Sequence, residues 1–294
     1  SIESVTGFGD MSATADTAAL AAKGIPERFY SRAGDLRRGG FIEGQGGGTV
    51  LLARGDLAEE LGLPVLAVVG YAHGLGALAA ARGGRDSRLA GNLAALGVSA
   101  DDISVVSKHD TSTNANDPNE AELHSLIAQA LGRSEGNPLY VVSQKTLTGH
   151  SKGGAALFQL AGLTQIFASG LIPGNMALDC MDPVFEEDSF LVWPRSPFQH
   201  EGVKAGLISS LGFGHVSALL ALAAPGAFEA AVERAHGADR VEEWKRRAAG
   251  RTRAGRRLLE EAMLGRVSLY EPIKDRRFSG GGAHADEVAM LLDG

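Results

Sequence analysis

With one cysteine in 294 residues, Cys180, the chain cannot close an internal disulfide, and the expected setting is reducing and cytoplasmic. Long apolar runs are missing as well. No stretch reaches the roughly 18 apolar residues of a membrane span, so no membrane partner is expected. Positive charge is not in excess. Its 28 Lys and Arg against 35 Asp and Glu leave a net charge of −7, which argues against general nucleic-acid binding. A secretory leader and an initiator methionine are also absent, and an opening of SIESVTGFGD reads as the middle of a domain, so the chain is expected to be a piece of something longer. What remains is an ordinary composition, 44% hydrophobic and 21% charged, enough for one large α/β domain or two modest ones.

Residues 1–40 predict a helix at about 13–22, stopped by Gly24 and Pro26, and a basic loop with Arg37 and Arg38. Residues 39–50 (GGFIEGQGGGTV) are the most glycine-dense segment. A phosphate-cradling loop is one reading, although no G-x-x-x-x-G-K-[ST] is present and no G-x-G-x-x-G opens a helix. Close packing of two backbones as strands, where side chains have to be missing, is the other. Strands are predicted at 49–53, 64–71, 103–107, 139–143, 190–193, 204–210 and 216–223, and helices at 56–63, capped by Asp56, and 85–96. The spacing Asp117-Pro118-x-Glu120 predicts a helix over 118–131 with Asp117 as its N-cap, a purely structural role for both carboxylates. From residue 226 the composition turns helical and charged, with Glu242/Arg246 and Glu243/Arg247 as i,i+4 pairs, and Ser279-Gly-Gly-Gly-Ala283 reads as a flexible joint before a short helix.

The chemistry concentrates after two strands. Strand 139–143 delivers Gln144, Lys145, Thr148 and His150 and then a Gly-Gly entry into a long apolar helix; strand 103–107 delivers His109, Asp110, Thr111 and Thr113. In a parallel sheet both loops converge on one edge. A lysine between two imidazoles, and a helix N-terminus beside His150, both favour neutral rings at pH 7. Neutral imidazoles with fixed tautomers are N–H donors, suited to an enolate or oxyanion. A second chemistry fits the same residues: Gly149-His150-Ser151-Lys152-Gly153 matches G-x-S-x-G, with Ser151 as nucleophile, His200 or His215 as base, Asp179 or Asp182 as acid, and His73-Gly74 as oxyanion loop. A third reading is a non-catalytic fragment that only holds a subunit contact.

Three segments in order, HDTSTNANDPNE (109–120), QKTLTGHSKGGAA (144–156) and SLGFGHVS (210–217), resemble the β-ketoacyl-acyl-carrier-protein synthases, thiolase-like condensing enzymes, and most of all the ketosynthase domain of type I fatty acid synthases of the fungal and mycobacterial kind. The resemblance covers about residues 1–224. It implies an α/β fold, the layered α-β-α-β-α thiolase arrangement with an incomplete N-terminal half, divided as 1–71 (end of that half), 72–225 (C-terminal half) and 226–294 (helical extension). The implied activity is a 3-oxoacyl synthase, an acyltransferase performing decarboxylative Claisen condensation of an acyl-cysteine with malonyl carrier protein. His109 and His150 would stabilise the enolate and Lys145 would support their geometry. Thr111 and Thr113 would contact the phosphopantetheine arm, and Phe213, between Gly212 and Gly214, would gate the site and help form an oxyanion hole. Glu120, with Asp117, would stand behind the lysine. No metal and no resident cofactor are implied. The substrate rides on the phosphopantetheine of an acyl carrier protein, and the implied partners are that protein, the rest of the ketosynthase and a second ketosynthase in a homo-oligomer.

Two departures accompany the resemblance. Its nucleophilic cysteine precedes the segment resembling residues 1–22, so it is expected outside this chain, and Cys180 matches no catalytic motif. Asp110 and His215 stand where the family has glycines, and Asp110 is expected to raise the pKa of His109.

Overall fold

A computed structural model describes residues 2–76, 87–186, 188–212 and 216–268. The chain forms two compact units, residues 1–50 with 66–227, and residues 51–65 with 228–294.

The first unit is built on a six-stranded sheet of β1 (Val68–Gly76), β2 (Ile103–Ser107), β3 (Leu139–Val142), β5 (Leu191–Val192), β7 (Ala205–Gly212) and β8 (Val216–Ala223), in the order β1-β8-β7-β2-β3-β5. A separate antiparallel pair joins β4 (Leu171–Ile172) to β6 (Phe198–Gln199). β7, β2, β3 and β5 run parallel, whereas β8 is antiparallel to both β7 and β1. Buried on both faces, the central strands read as valine-rich runs without polar alternation of the solvent-facing kind, ISVVS and LYVV. Alternate residues serve opposite faces. Val106, Val141 and Leu207 pack in one cluster with the helices α4 (Ser87–Ala95) and α5 (Asn116–Ala130), while Val105, Val142 and Ile208 pack with α7 (Ala155–Ser169). The result is helix, sheet, helix, with the carboxyl ends of β2 and β3 side by side.

Several elements differ from expectation. The opening helix is two, α1 (Ile2–Asp10) and α2 (Thr17–Ala22), the second capped by Asp16, whose side chain accepts the Ala19 N–H at 2.9 Å. Residues 49–53 form no strand. The strand expected at 64–71 begins later and runs to Gly76 because β8 supplies a pairing partner along its length, so the proposed division at 71/72 falls inside β1. The joint at 279–283 and the turn residues Phe213, Gly214 and His215 lie outside the described residues.

The second unit packs α3 (Gly55–Leu61) against α8 (Pro225–His236) and α9 (Ala238–Met263), which are separated by Gly237 at φ 86°. Arg54 rather than Asp56 stands at the N-cap of α3. Arg240 Nε donates to Glu59 at 2.7 Å, Trp244 Nε1 to the Leu63 carbonyl at 3.0 Å, and the Phe228 and Trp244 rings meet at 4.9 Å. Ion pairs on α9 fall at i,i+3, Arg240–Glu243 and Glu242–Lys245, rather than at the expected i,i+4 positions. Among the described residues no helix is long and apolar enough to cross a membrane.

Candidate active site

β2 and β3 pair in parallel, Ser107 opposite Val142, so the loops that follow them emerge together. They bring the two expected histidines into contact. The His109 and His150 rings lie edge to face, centroids 5.2 Å apart at 84°. Lys145, in the one-turn helix α6 (Lys145–Thr148), places Nζ 3.1 Å from His109 Nδ1 and also donates to the His109 carbonyl. An ammonium has only donors, so His109 Nδ1 accepts and its proton sits on Nε2. His150 Nδ1 accepts the backbone N–H of Lys152 at 3.2 Å, which fixes the same tautomer there.

Burial, and after it the charge of Lys145, holds the pKa of His109 down at about 3. For His150 burial again comes first, then Lys145, His109 and Lys152, also to about 3. Both rings are neutral at pH 7, as expected, with burial as the leading cause. Burial lowers Lys145 to about 8, against the opposing pull of Glu120, Asp110 and Asp117, so its ammonium prevails at neutral pH.

Asp117 and Glu120 do not cap the helix as expected. Ala115 occupies the N-cap position, and Thr113 Oγ1 accepts the Asn116 N–H at 3.2 Å. Asp117, wholly buried, accepts the Thr111 N–H at 3.1 Å and lies 3.6 Å from Arg38 Nε. Glu120, equally buried, accepts the backbone N–H of His109 and that of Asp110, the latter at 2.8 Å, together with the Ser209 hydroxyl. Ser209 Oγ in turn lies 2.9 Å from Nε2 of the buried His124. Thr111 and Thr113 do share a side of the loop, their hydroxyls 2.9 Å apart. Gly212 ends β7 opposite Val216.

The expectation for Asp110 is corrected. Its carboxylate lies 2.8 Å from Lys108 Nζ, and His109 stays far below its ordinary range under burial and the Lys145 charge. The hydrolase arrangement is not assembled either. Ser151 does not directly follow a strand, and its buried Oγ makes no hydrogen bond among the described residues. Asp179 is bound by Arg32 and Arg37, Asp182 by Arg38, and His200 lies against Tyr140 and Phe198.

Sequence reading missed the support of His150. The Phe41 ring stands 4.7 Å from it, and Lys152 Nζ is held by Glu43 at 2.6 Å between the rings of Phe8 and Phe41, at 3.8 and 4.0 Å. The only signal for this was the glycine-dense segment, which does pack backbone to backbone, but through two isolated bridges, Phe41 to Thr14 and Glu43 to His150, rather than between two strands. A Cβ on Gly44 would lie 2.5 Å from the Thr148 carbonyl oxygen, whereas one on Gly47 would meet nothing within 4 Å. Gly44→Ala is therefore expected to cost about 1–3 kcal/mol by overpacking rigid backbone, and Gly47→Ala close to nothing, as read by urea denaturation.

The mixed sheet thus delivers two facing imidazoles and a lysine from adjacent strand ends, within two of the three motifs that resemble the condensing enzymes. Residues 67–179, which carry His109, Lys145 and His150, match the family model of the β-ketoacyl synthase C-terminal domain. The chain is 37% identical over 233 residues to the fatty acid synthase alpha subunit stcJ of Emericella nidulans, covering 74% of this chain and 15% of that protein. Among solved structures it is similar to the ketosynthase FabY from P. aeruginosa, with a TM-score of 0.74, 20% identity, and coverage of 90% of this chain and 43% of that one. A type II polyketide ketosynthase in complex with its acyl-carrier protein matches with a TM-score of 0.60 and 19% identity, over 75% of this chain and 52% of that one. These structural likenesses give the ketosynthase, thiolase-like fold. The chain spans a fifth or less of the length of its fungal relatives.

Proposed function

We propose that this chain is part of a 3-oxoacyl synthase of fatty acid synthesis and supplies the half of its site that handles the malonyl thioester. The observation that carries this reading is the tautomer pair: both Nδ1 atoms accept hydrogen bonds, from Lys145 and from the Lys152 backbone, which leaves both Nε2–H groups as donors. Two such donors on a thioester carbonyl stabilise the oxygen as charge arrives there. The C–C bond to the malonyl carboxylate breaks, carbon dioxide leaves, and the electron pair enters the enolate held by His109 and His150. The enolate carbon then attacks an acyl thioester, a new C–C bond forms and the thiolate departs. Lys145 keeps His109 in the donor tautomer throughout.

The thiol that carries the acyl group is not Cys180, which is exposed and anchored through its backbone N–H to Asp35. In this reading it belongs to the remainder of the ketosynthase. The substrate arrives on the phosphopantetheine of an acyl carrier protein, with Thr111 and Thr113 as its hydroxyl contacts, and Phe213 with Gly212 and Gly214 gates the acyl side. Dimerisation through the ketosynthase and a cytoplasmic setting belong to the same reading. In the assembled synthase, His150→Ala is expected to accept an acyl group at the parental rate and to lose condensation by about 10²- to 10³-fold, the effect of removing one oxyanion donor. Radiolabelled acyl transfer and product formation measure the two steps separately. Unchanged condensation refutes the proposal and leaves the structural-fragment reading.

A further inference from the structure

His109 is flanked by two buried ions. Lys108 and Asp110, both 1% exposed, meet at 2.8 Å. Lys108 Nζ also lies 3.4 Å from the Asp117 carbonyl oxygen and stands over the rings of Trp193 and Phe185. The second carboxylate oxygen of Asp110 accepts the Ser143 hydroxyl at 2.5 Å. Ser143 directly follows β3 and stands two residues before Lys145, so Asp110 joins the loop of one histidine to the strand end that delivers the other.

The arrangement is costly. A buried ion pair seldom gains stability over apolar residues of the same size. Asp110 also holds φ at 27°, a conformation that glycine adopts freely and other residues resist. Strain and buried charge kept together beside a working side chain call for a reason other than stability. We propose that Asp110, held by Lys108 and tied to Ser143, is a positioning residue that sets how His109 meets Lys145 across the ends of β2 and β3. Its bearing on condensation rests on the function proposed above; its bearing on the two side chains does not.

The groups facing Lys145 are His109 and Asp110 from the loop after β2, Glu120 and Asp117 from α5, and His150 from its own loop. Asp110 is one of three carboxylates that favour the ammonium. Loss of its charge lets burial dominate further, so the titration midpoint of Lys145 moves down from about 8 toward neutrality. A neutral amine no longer dictates the tautomer of His109.

The test uses the full chain and four variants, Asp110→Asn, Asp110→Glu, Asp110→Gly and the double change Lys108→Met with Asp110→Gly. Imidazole nitrogen spectra read the tautomer of His109, and the side-chain nitrogen shift of Lys145 is followed against pH. Asp110→Asn and Asp110→Gly are expected to lower the Lys145 midpoint and to give His109 a mixture of tautomers, with partial rescue in Asp110→Glu. In the assembled synthase Asp110→Asn is expected to lower condensation about 10- to 100-fold while acyl loading keeps its KM. A brace of purely structural importance would change stability alone: a parental midpoint and a single His109 tautomer in Asp110→Asn overturn the inference. Should the single variants fail to fold, the double change, which removes both buried charges, decides it by the same spectra. Shifted spectra in Asp110→Asn alongside normal condensation by His150→Ala would sustain the positioning role and defeat the catalytic reading.

Discussion

Glu120→Ala is expected to lower folding stability by about 3–5 kcal/mol, the cost of leaving buried charges without their partner. Glu120 satisfies the backbone N–H groups of His109 and Asp110 and the Ser209 hydroxyl, and it accepts from Asn116 Nδ2 at 3.2 Å. Its charge is also the leading influence that keeps a proton on Lys145, and the second, after Asp110, that does so on Lys108. Alanine strands two buried amides, each worth roughly 1–3 kcal/mol when unpaired, and leaves two buried ammonium groups short of a counter-charge. Glu120→Gln, which keeps the shape and one acceptor, is expected to fall between alanine and parent. Glu122, two residues along α5 and exposed, is the control: Glu122→Ala should stay within about 0.5 kcal/mol. Urea denaturation of the three variants measures this. A Glu120→Ala chain within 1 kcal/mol of the parent would mean that the loop of His109 is held by something else.

That network shows where sequence reading ends. The parallel strands announced themselves as β-branched runs, and because parallel neighbours release their loops at one edge, the meeting of His109 with His150 followed from topology before any coordinates. The capping box at Ser99 and Asp102 is of the local kind that a sequence can show, its partners being three residues apart. Asp117 and Glu120 were misread as helix caps because their spacing from Pro118 fits that local rule. In the folded chain their side chains turn inward, since the backbone amides after β2 have no strand partner and need acceptors. Ser209 and Glu43 join the site from distant positions, 89 residues from Glu120 and 109 from Lys152 in sequence, so no local pattern points to them. Asp110 was legible as an anomaly, a charge where a glycine was expected. Its partner Lys108 two residues earlier was in plain view, but nothing in the sequence says that both side chains point to the same side of the loop.

Acidification is expected to begin draining stability well above the pH at which most carboxylates titrate. Burial is the leading cause that holds His109, His124 and His150 at about 3, against an ordinary value of 6.5. Because the folded-state values are the lower ones, the unfolded chain takes up these three protons first. Stability is therefore complete above pH 6.5 and drains as pH falls toward 3, by about 1.4 kcal/mol per pH unit for each histidine. Asp117 opposes this. Burial and then the Asp110 charge raise its carboxyl, so folding favours its protonated form, which offsets at most one of the three protons. Lys145, lowered to about 8, changes state only above this window. A net uptake of about two protons amounts to about 2.7 kcal/mol per pH unit, so two to three units remove about 5–8 kcal/mol of the roughly 5–15 kcal/mol that holds a typical domain. Asp35, whose carboxylate is held low chiefly by its hydrogen bonds to Arg32 and Arg37 in spite of burial, adds a further loss below its ordinary 3.8. Unfolding free energies from urea titrations at steps from pH 7.5 down to 4.5 give the proton count as their slope. His124→Asn, which offers Ser209 an N–H donor without the titration, should remove about one proton from that slope. A flat dependence between pH 7 and 5 would mean that these imidazoles accept protons in the folded chain, and the neutral donors on which the proposed enolate chemistry rests would then be lost with them.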